Sequence, residues 1–174
     1  MRSYKNDLKK YIHDLSVSSA HPAGGSCAAL SGCLGISLIQ MALRYSGAGG
    51  DGYLVRLEKI KKDIIGLIDR DGELFERLLR ETVAVKKKKL LHTIQEEIMR
   101  LANGCGKVAG YARAIEPSIK KTIISDFYAG LKLCEVSLYI CVKNLQANQR
   151  MFKIDNARKI QRTKKSMEVF KRWG

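Results

Sequence analysis

The stretch Ser16-Val-Ser-Ser-Ala-His-Pro-Ala-Gly-Gly-Ser-Cys-Ala-Ala-Leu-Ser-Gly-Cys-Leu-Gly-Ile-Ser-Leu-Ile-Gln-Met-Ala-Leu43 contains no Asp, Glu, Lys or Arg, although 32 of the 174 residues are basic. At helical spacing its small residues share one face, and its bulky residues share another. The small residues are Ala28, Ser31, Gly32 and Gly35, and the bulky ones are Leu30, Leu34, Leu38 and Met41. A smooth face lets a second backbone approach closely, within a bundle or across a dimer axis. The apolar part is too short for a membrane span, which needs about 20 residues. We therefore expect an enclosed core helix and no membrane partner.

The rest of the chain favours helices as well. It contains only two prolines and no alternating Val/Ile/Thr-rich run of the kind that predicts a strand. The pattern predicts an all-α bundle of about six helices in one domain, residues 1–174: residues 4–15, 26–45, 53–82, 87–115, 125–150 and 154–171. Ser26 is the expected N-cap of the second helix, because its hydroxyl can accept a hydrogen bond from an orphan backbone amide.

Cysteine usage and charge limit the possible ligands. The five cysteines form no CxxC pair and are odd in number, so we expect no metal site and a reducing, cytoplasmic location. We also expect no permanently bound cofactor. The net charge is +15, and the basic helical segment 151–174 contributes +6 of it. Such a surface either faces solvent or attracts an anionic ligand, nucleic acid or an acidic partner. Nucleic acid is possible but not favoured, since no helix-turn-helix signal accompanies the charge.

One carboxylate interrupts the apolar stripe of the predicted third helix. Asp71 belongs to a series of positions that recur every three or four residues and so share one helical face. The other six positions are apolar: Leu57, Ile60, Ile64, Ile68, Phe75 and Leu78. An ionised Asp on a buried face is costly unless it is paired or lines a cavity, whereas Asp69 points elsewhere. Asp71 is therefore a candidate for proton transfer. The alternative is that Gly72 distorts the helix and lets Asp71 reach solvent.

Two further features suggest a binding site. The Gly24-Gly25-Ser26 turn leads into a helix N-terminus, whose free amides suit a carboxylate or phosphate, and His21 precedes it. Asn144 and Asn148 lie one turn apart beside small residues, where they line a polar pocket or serve as ordinary bundle hydrogen bonds. No lysine or strand supports a P-loop here.

These residues together resemble the formiminotetrahydrofolate cyclodeaminase and methenyltetrahydrofolate cyclohydrolase family. The resemblance rests on four motifs in order: His21-Pro-Ala-Gly-Gly-Ser26, Asp71 with Phe75, Ser125-Asp126, and Asn144 with Asn148. It implies an all-helical homodimer acting on C–N bonds of tetrahydrofolate one-carbon adducts. It further implies that Asp71 is the catalytic acid/base. The substrate would be bound by His21, Gly24, Gly25, Ser26, Asp126, Asn144 and Asn148.

The chain departs from the family pattern at identifiable positions. Ala23 stands where the first glycine of the family's triplet is expected, and 46–52 lacks its basic residues. The Ala-x-x-Pro element is replaced by Ala102-Asn-Gly-Cys105. A non-catalytic relative that binds folate, or a helical protein that binds nucleic acid or an acidic partner through its basic surface, is the alternative function.

Overall fold

The computed structural model describes residues 5–17, 22–47 and 51–173. Throughout these ranges the chain is helical, without a strand. The α-helices are α1 (Lys5–Ser16), α2 (Gly24–Ser46), α3 (Asp51–Ile65), α4 (Leu67–Arg80), α5 (Ala84–Ile115), α6 (Ile124–Phe152) and α7 (Ala157–Glu168). Short 3-10 turns follow α5 (Glu116–Ser118), precede α6 (Lys121–Ile123) and end the chain (Val169–Trp173). The prediction of an all-α bundle is confirmed.

The segment predicted as one helix, 53–82, is divided. α3 ends at Ile65 and α4 begins at Leu67, with Gly66 exposed between them. Glycine destabilises helix interiors because its unfolded backbone has the most freedom to lose, and the break falls at Gly66. Gly72, the residue considered as a source of distortion, is buried within α4.

The start of α2 also differs from the prediction. The helix begins at Gly24, two residues before the expected start, and Ala23 occupies the N-cap position with extended backbone angles. No side chain caps this end. Ser26 is therefore inside the first turn rather than at the cap, and its hydroxyl is 3.0 Å from the Tyr11 hydroxyl. The predicted cap is wrong because the helix extends through both glycines.

The small-residue face of α2 packs against α6. A Cβ placed on Gly35 would lie 2.5 Å from the Gly130 carbonyl oxygen, and one placed on Gly130 would lie 2.7 Å from that of Gly35. The two helices run antiparallel, since Gly24 lies beside Asn144 and Gly35 beside Gly130. Glycine is required here because backbone meets backbone and neither can give way.

The opposite face of α2 is not enclosed by the rest of the described chain. Leu34 is 50% exposed and Met41 is 41% exposed, which corrects the expectation of a fully enclosed helix. By length and composition α2 would also pass as a membrane span, the one such helix among the described residues, but most of its length is buried in the bundle. A single helix of this kind is common in bundle cores.

The basic segment after α6 is part of the bundle. Phe170 is 2% exposed, and the buried Asn156 side chain donates a hydrogen bond to the Leu145 carbonyl oxygen at 3.0 Å. Lys159 reaches α5, where its ammonium donates to Gln95 Oε1. Residues 157–173 therefore pack on α5 and α6 with their remaining cations facing solvent.

Candidate active site

Asp71 lies on α4, beside the first turn of α2. Its side chain is half-buried, between the buried Leu67 and Leu74 positions of the same helix. Asp69 is exposed. The helical period thus separates the two carboxylates as predicted, and Asp71 is the one directed toward the interior.

The approach of Asp71 to α2 depends on the absence of a side chain at Gly25. A Cβ built on Gly25 would overlap the carboxyl carbon and both carboxyl oxygens of Asp71, far closer than the 3.0 Å that real Cβ atoms essentially never cross. The carboxyl group therefore occupies the space that any other residue would fill. A negative charge at this position is favourable, because the N-terminal end of a helix carries partial positive charge.

The first turn of α2 presents backbone donors on the same side. The amides of Gly24, Gly25 and Ser26 belong to the first turn, where an α-helix supplies no carbonyl partner, and the N-cap residue Ala23 has no side-chain acceptor for them. The first turn contains no acidic residue of its own. An anionic or carbonyl-bearing ligand group can therefore be bound here by backbone N–H groups.

A cavity of about 170 Å³ opens beside these groups. Its polar side chains are those of Asp71, Asn144 and Asn148. The rest of the lining is apolar or small: Phe75, Ile94, Ile98, Met151, Ala23, Gly24, Gly25 and Ala147. The Asn144 Oδ1 atom lies close to Gly24, 3.5 Å from where a Cβ would stand. An acid, two amides and the backbone of a helix N-terminus meet in one partly apolar cavity, as small-molecule sites typically require.

Most of the predicted site residues come together, and others do not. Gly24, Gly25, Asp71, Asn144 and Asn148 all line the cavity. Ser26 is fully buried behind it. Asp126 is in the first turn of α6, 18 residues or about 27 Å along the helix from Asn144. His21 lies outside the described residues.

Tyr11 is a neighbour of the site that the sequence interpretation missed. Its hydroxyl meets Ser26, and burial raises the pKa of its phenol, with the charges of Cys27, Asp69 and Asp71 adding to the shift. It joins α1 to the first turn of α2. The amphipathic pattern of residues 5–16 was a signal for the helix, but nothing in it indicated which side chain would reach the turn.

Glu97 on α5 is a second residue that was missed. It is 7% exposed and borders a small chamber next to the main cavity, together with Asp71. It follows Ile94 by three residues and precedes Leu101 by four, so it lies on the buried face of α5. That spacing was the available signal.

Within the described residues, no three His, Cys, Asp or Glu side chains are arranged to hold a metal ion. The side chains that line the cavity can transfer a proton through the Asp71 carboxyl group and form hydrogen bonds through the Asn144 and Asn148 amides.

The fold and the site place this protein in a class: an all-helical bundle with a candidate small-molecule site, in which Asp71 lies beside the glycine-rich start of α2. The family model described as formiminotransferase-cyclodeaminase matches residues 7–168, and the chain belongs to this family. A methenyltetrahydrofolate cyclohydrolase of Methylorubrum extorquens is 23% identical over 166 residues, covering 79% of this chain and 80% of that protein. The crystal structure of a formiminotetrahydrofolate cyclodeaminase from Thermotoga maritima superposes with a TM-score of 0.84 at 14% identity, covering 95% of this chain and 92% of the other.

Proposed function

We propose that this chain is an enzyme of folate one-carbon metabolism that makes or breaks a C–N bond at the one-carbon bridge of a tetrahydrofolate adduct. The observation that carries the proposal is the placement of Asp71 against the unsubstituted Gly25, in a cavity that also contains Asn144 and Asn148. The names of the two relatives support the same substrate class.

Asp71 has the same task in either reaction of the family. In methenyl hydrolysis, water adds to the bridge carbon, and the carboxylate of Asp71 takes the proton that the water releases. Cleavage of one C–N bond then moves the new hydroxyl's proton to the departing nitrogen and leaves a formyl group. In cyclodeamination, a folate nitrogen attacks the carbon of a protonated formimino group, and Asp71 transfers the proton that this nitrogen loses to the amine, which departs as ammonia. Both reactions balance without a bound metal or redox cofactor.

The cavity fits the reacting end of such a substrate. Pockets for drug-sized ligands measure about 300–1,000 Å³, whereas this cavity measures about 170 Å³. The pteridine and its bridge would enter beside Asp71, with the Asn144 and Asn148 amides as hydrogen-bonding partners, while the remainder of the molecule lies outside. The exposed basic surface suits the carboxylates of that remainder.

We further propose that the chain acts as a homodimer through the exposed face of α2. Large apolar side chains on that face are solvent-accessible in the single chain, among them Leu34 and Met41, and contiguous apolar surface of this kind marks association sites.

The test is a spectrophotometric assay with methenyl- and formiminotetrahydrofolate, using Asp71→Asn and the matched control Asp69→Asn. Positioned general acid–base groups contribute about 10²–10⁴-fold to rate, so we expect Asp71→Asn to lose at least 100-fold in kcat. Asp69→Asn should retain wild-type activity, because that carboxylate is exposed on the same helix. Full activity in Asp71→Asn contradicts the assignment. Binding without turnover in the wild type, seen as a ligand-induced rise in Tm, would identify the non-catalytic relative instead.

A further inference from the structure

Glu97 is a buried carboxylate whose countercharges lie outside the protein interior. The Arg70 Nε atom is 3.2 Å from its Oε1, and the Arg100 Nη1 atom is 3.2 Å from its Oε2. The Glu97 side chain is 9% exposed, whereas each arginine side chain is 53% exposed. Despite the short ion-pair distance, Oε2 is buried and accepts no hydrogen bond of regular geometry from the described residues.

Glu97 is also a neighbour of the proposed catalytic acid. A chamber of about 20 Å³ is bordered by Glu97 and Asp71, and by Gly25 and Asn144, which line the main cavity too. The chamber, which adjoins the main cavity, is therefore bordered by two carboxylates. The two come from different helices, Asp71 from α4 and Glu97 from α5.

Solvent screens the charges of these two ion pairs to different extents. Water screens the half-exposed guanidinium groups of Arg70 and Arg100 strongly, whereas the carboxylate of Glu97 is shielded from solvent and is screened less. A charge inside the cavity therefore senses Glu97 more than it senses the arginines. Glu97 therefore adds a negative contribution to the potential at the cavity, and this contribution favours a cationic ligand group.

We propose that Glu97 is a specificity-determining residue that favours substrates whose one-carbon unit is a cationic amidinium, N–CH=N⁺. This inference rests on the proposed function and extends it to the charge state of the substrate. The methenyl bridge is such a cation, and a protonated formimino group is another, so Glu97 serves either reaction. Tetrahydrofolate has the same pteridine and glutamate but no cationic bridge, and Glu97 contributes little to its binding.

The experiment compares KM for methenyltetrahydrofolate with the inhibition constant of tetrahydrofolate in Glu97→Gln, Arg70→Gln and the control Glu96→Gln. A unit charge acting over a separation on the order of 8 Å at an effective dielectric constant of about 20 corresponds to about thirtyfold in affinity. The arginines are present in both proteins and cancel, so Glu97→Gln should raise KM about thirtyfold and change the tetrahydrofolate constant less than twofold. Arg70→Gln removes a countercharge and should lower KM about threefold.

The opposite signs separate this role from a structural one. If Glu97 only joined α4 to α5, Glu97→Gln and Arg70→Gln would both lower Tm and would shift KM in the same direction, which overturns the inference. An equal rise in KM and in the tetrahydrofolate constant overturns it as well. Glu96→Gln should match the wild type, since that residue is exposed on the same helix and pairs with His92 and Lys159. A wild type that turns over neither adduct defeats the proposed function itself, and the inference with it.

Discussion

Replacing Gly25 by alanine tests the central contact of the site. The added Cβ would overlap the Asp71 carboxyl group, so the carboxyl must move by an amount on the order of 1 Å, and a misplacement of that size costs about 100-fold in rate. A factor of 100 corresponds to about 2.7 kcal/mol in activation free energy. We expect Gly25→Ala to retain about 1% of the wild-type kcat.

The same substitution should change stability much less than activity. Overpacking a filled site costs about 1–3 kcal/mol, but alanine is favoured over glycine in a helix by about 1 kcal/mol. The free energy of unfolding should therefore fall by about 0–2 kcal/mol, and the variant should remain folded. This difference separates a displaced acid from an unfolded protein.

The measurement pairs kcat with urea denaturation of the same preparations. Gly110→Ala is the matched control: it lies in α5, and a Cβ there meets nothing within 4 Å. That variant should keep full activity and gain about 1 kcal/mol. Wild-type kcat in Gly25→Ala would refute the proposed geometry, because it would show that the carboxyl can stand elsewhere without loss.

Two further outcomes are expected. Leu34→Glu places a charge on the exposed face of α2, and light scattering should show that this variant is a monomer where the wild type is a dimer. The control Val85→Glu, at a position that is 79% exposed, should leave the mass unchanged. A monomeric wild type contradicts the dimer proposal. Four cysteines are buried and Cys27 is half-buried, and burial also raises the pKa of Cys33 to about 11. Alkylation requires an accessible thiolate, so iodoacetamide at pH 8 should modify Cys27 first. Mass spectrometry of the digested protein checks this order, and rapid labelling of Cys33 in the native state would contradict it.

The sequence predicted the features that depend on one helix at a time. Helical periodicity alone placed Asp71 on an inward face and separated it from Asp69, because the direction of a side chain from a helix is fixed by residue spacing. The small face of α2 was likewise visible as a pattern. Its partner, α6, was not, since the pattern shows that a backbone can approach without showing which one does.

Features that depend on two elements were missed or misplaced. Glu97 shares the buried face of α5 with Ile94 and Leu101, but the residues that it meets there depend on where α4 lies. The helix start at Gly24 was misjudged because glycine has poor helix propensity, and tertiary packing overrode that preference. Gly66 and Gly72 were equally able to interrupt the third predicted helix, and packing decided between them, since Gly72 is buried and Gly66 is exposed.

One stripe of small residues connects the fold of this protein to its proposed chemistry. Gly25, Ala28, Gly32 and Gly35 recur at spacings of three and four, so they lie on one face of α2. At the Gly35 end the space is filled by the backbone of α6, which cannot move aside, and at the Gly25 end it is filled by the Asp71 carboxyl group. The same smooth surface therefore fixes the distance between two helices at one end and positions an acid beside the first-turn amides of α2 at the other. The Asp71 carboxyl group can lie directly against α2 because Gly25 has no Cβ, and the space that a Cβ would take is available to the carboxyl group.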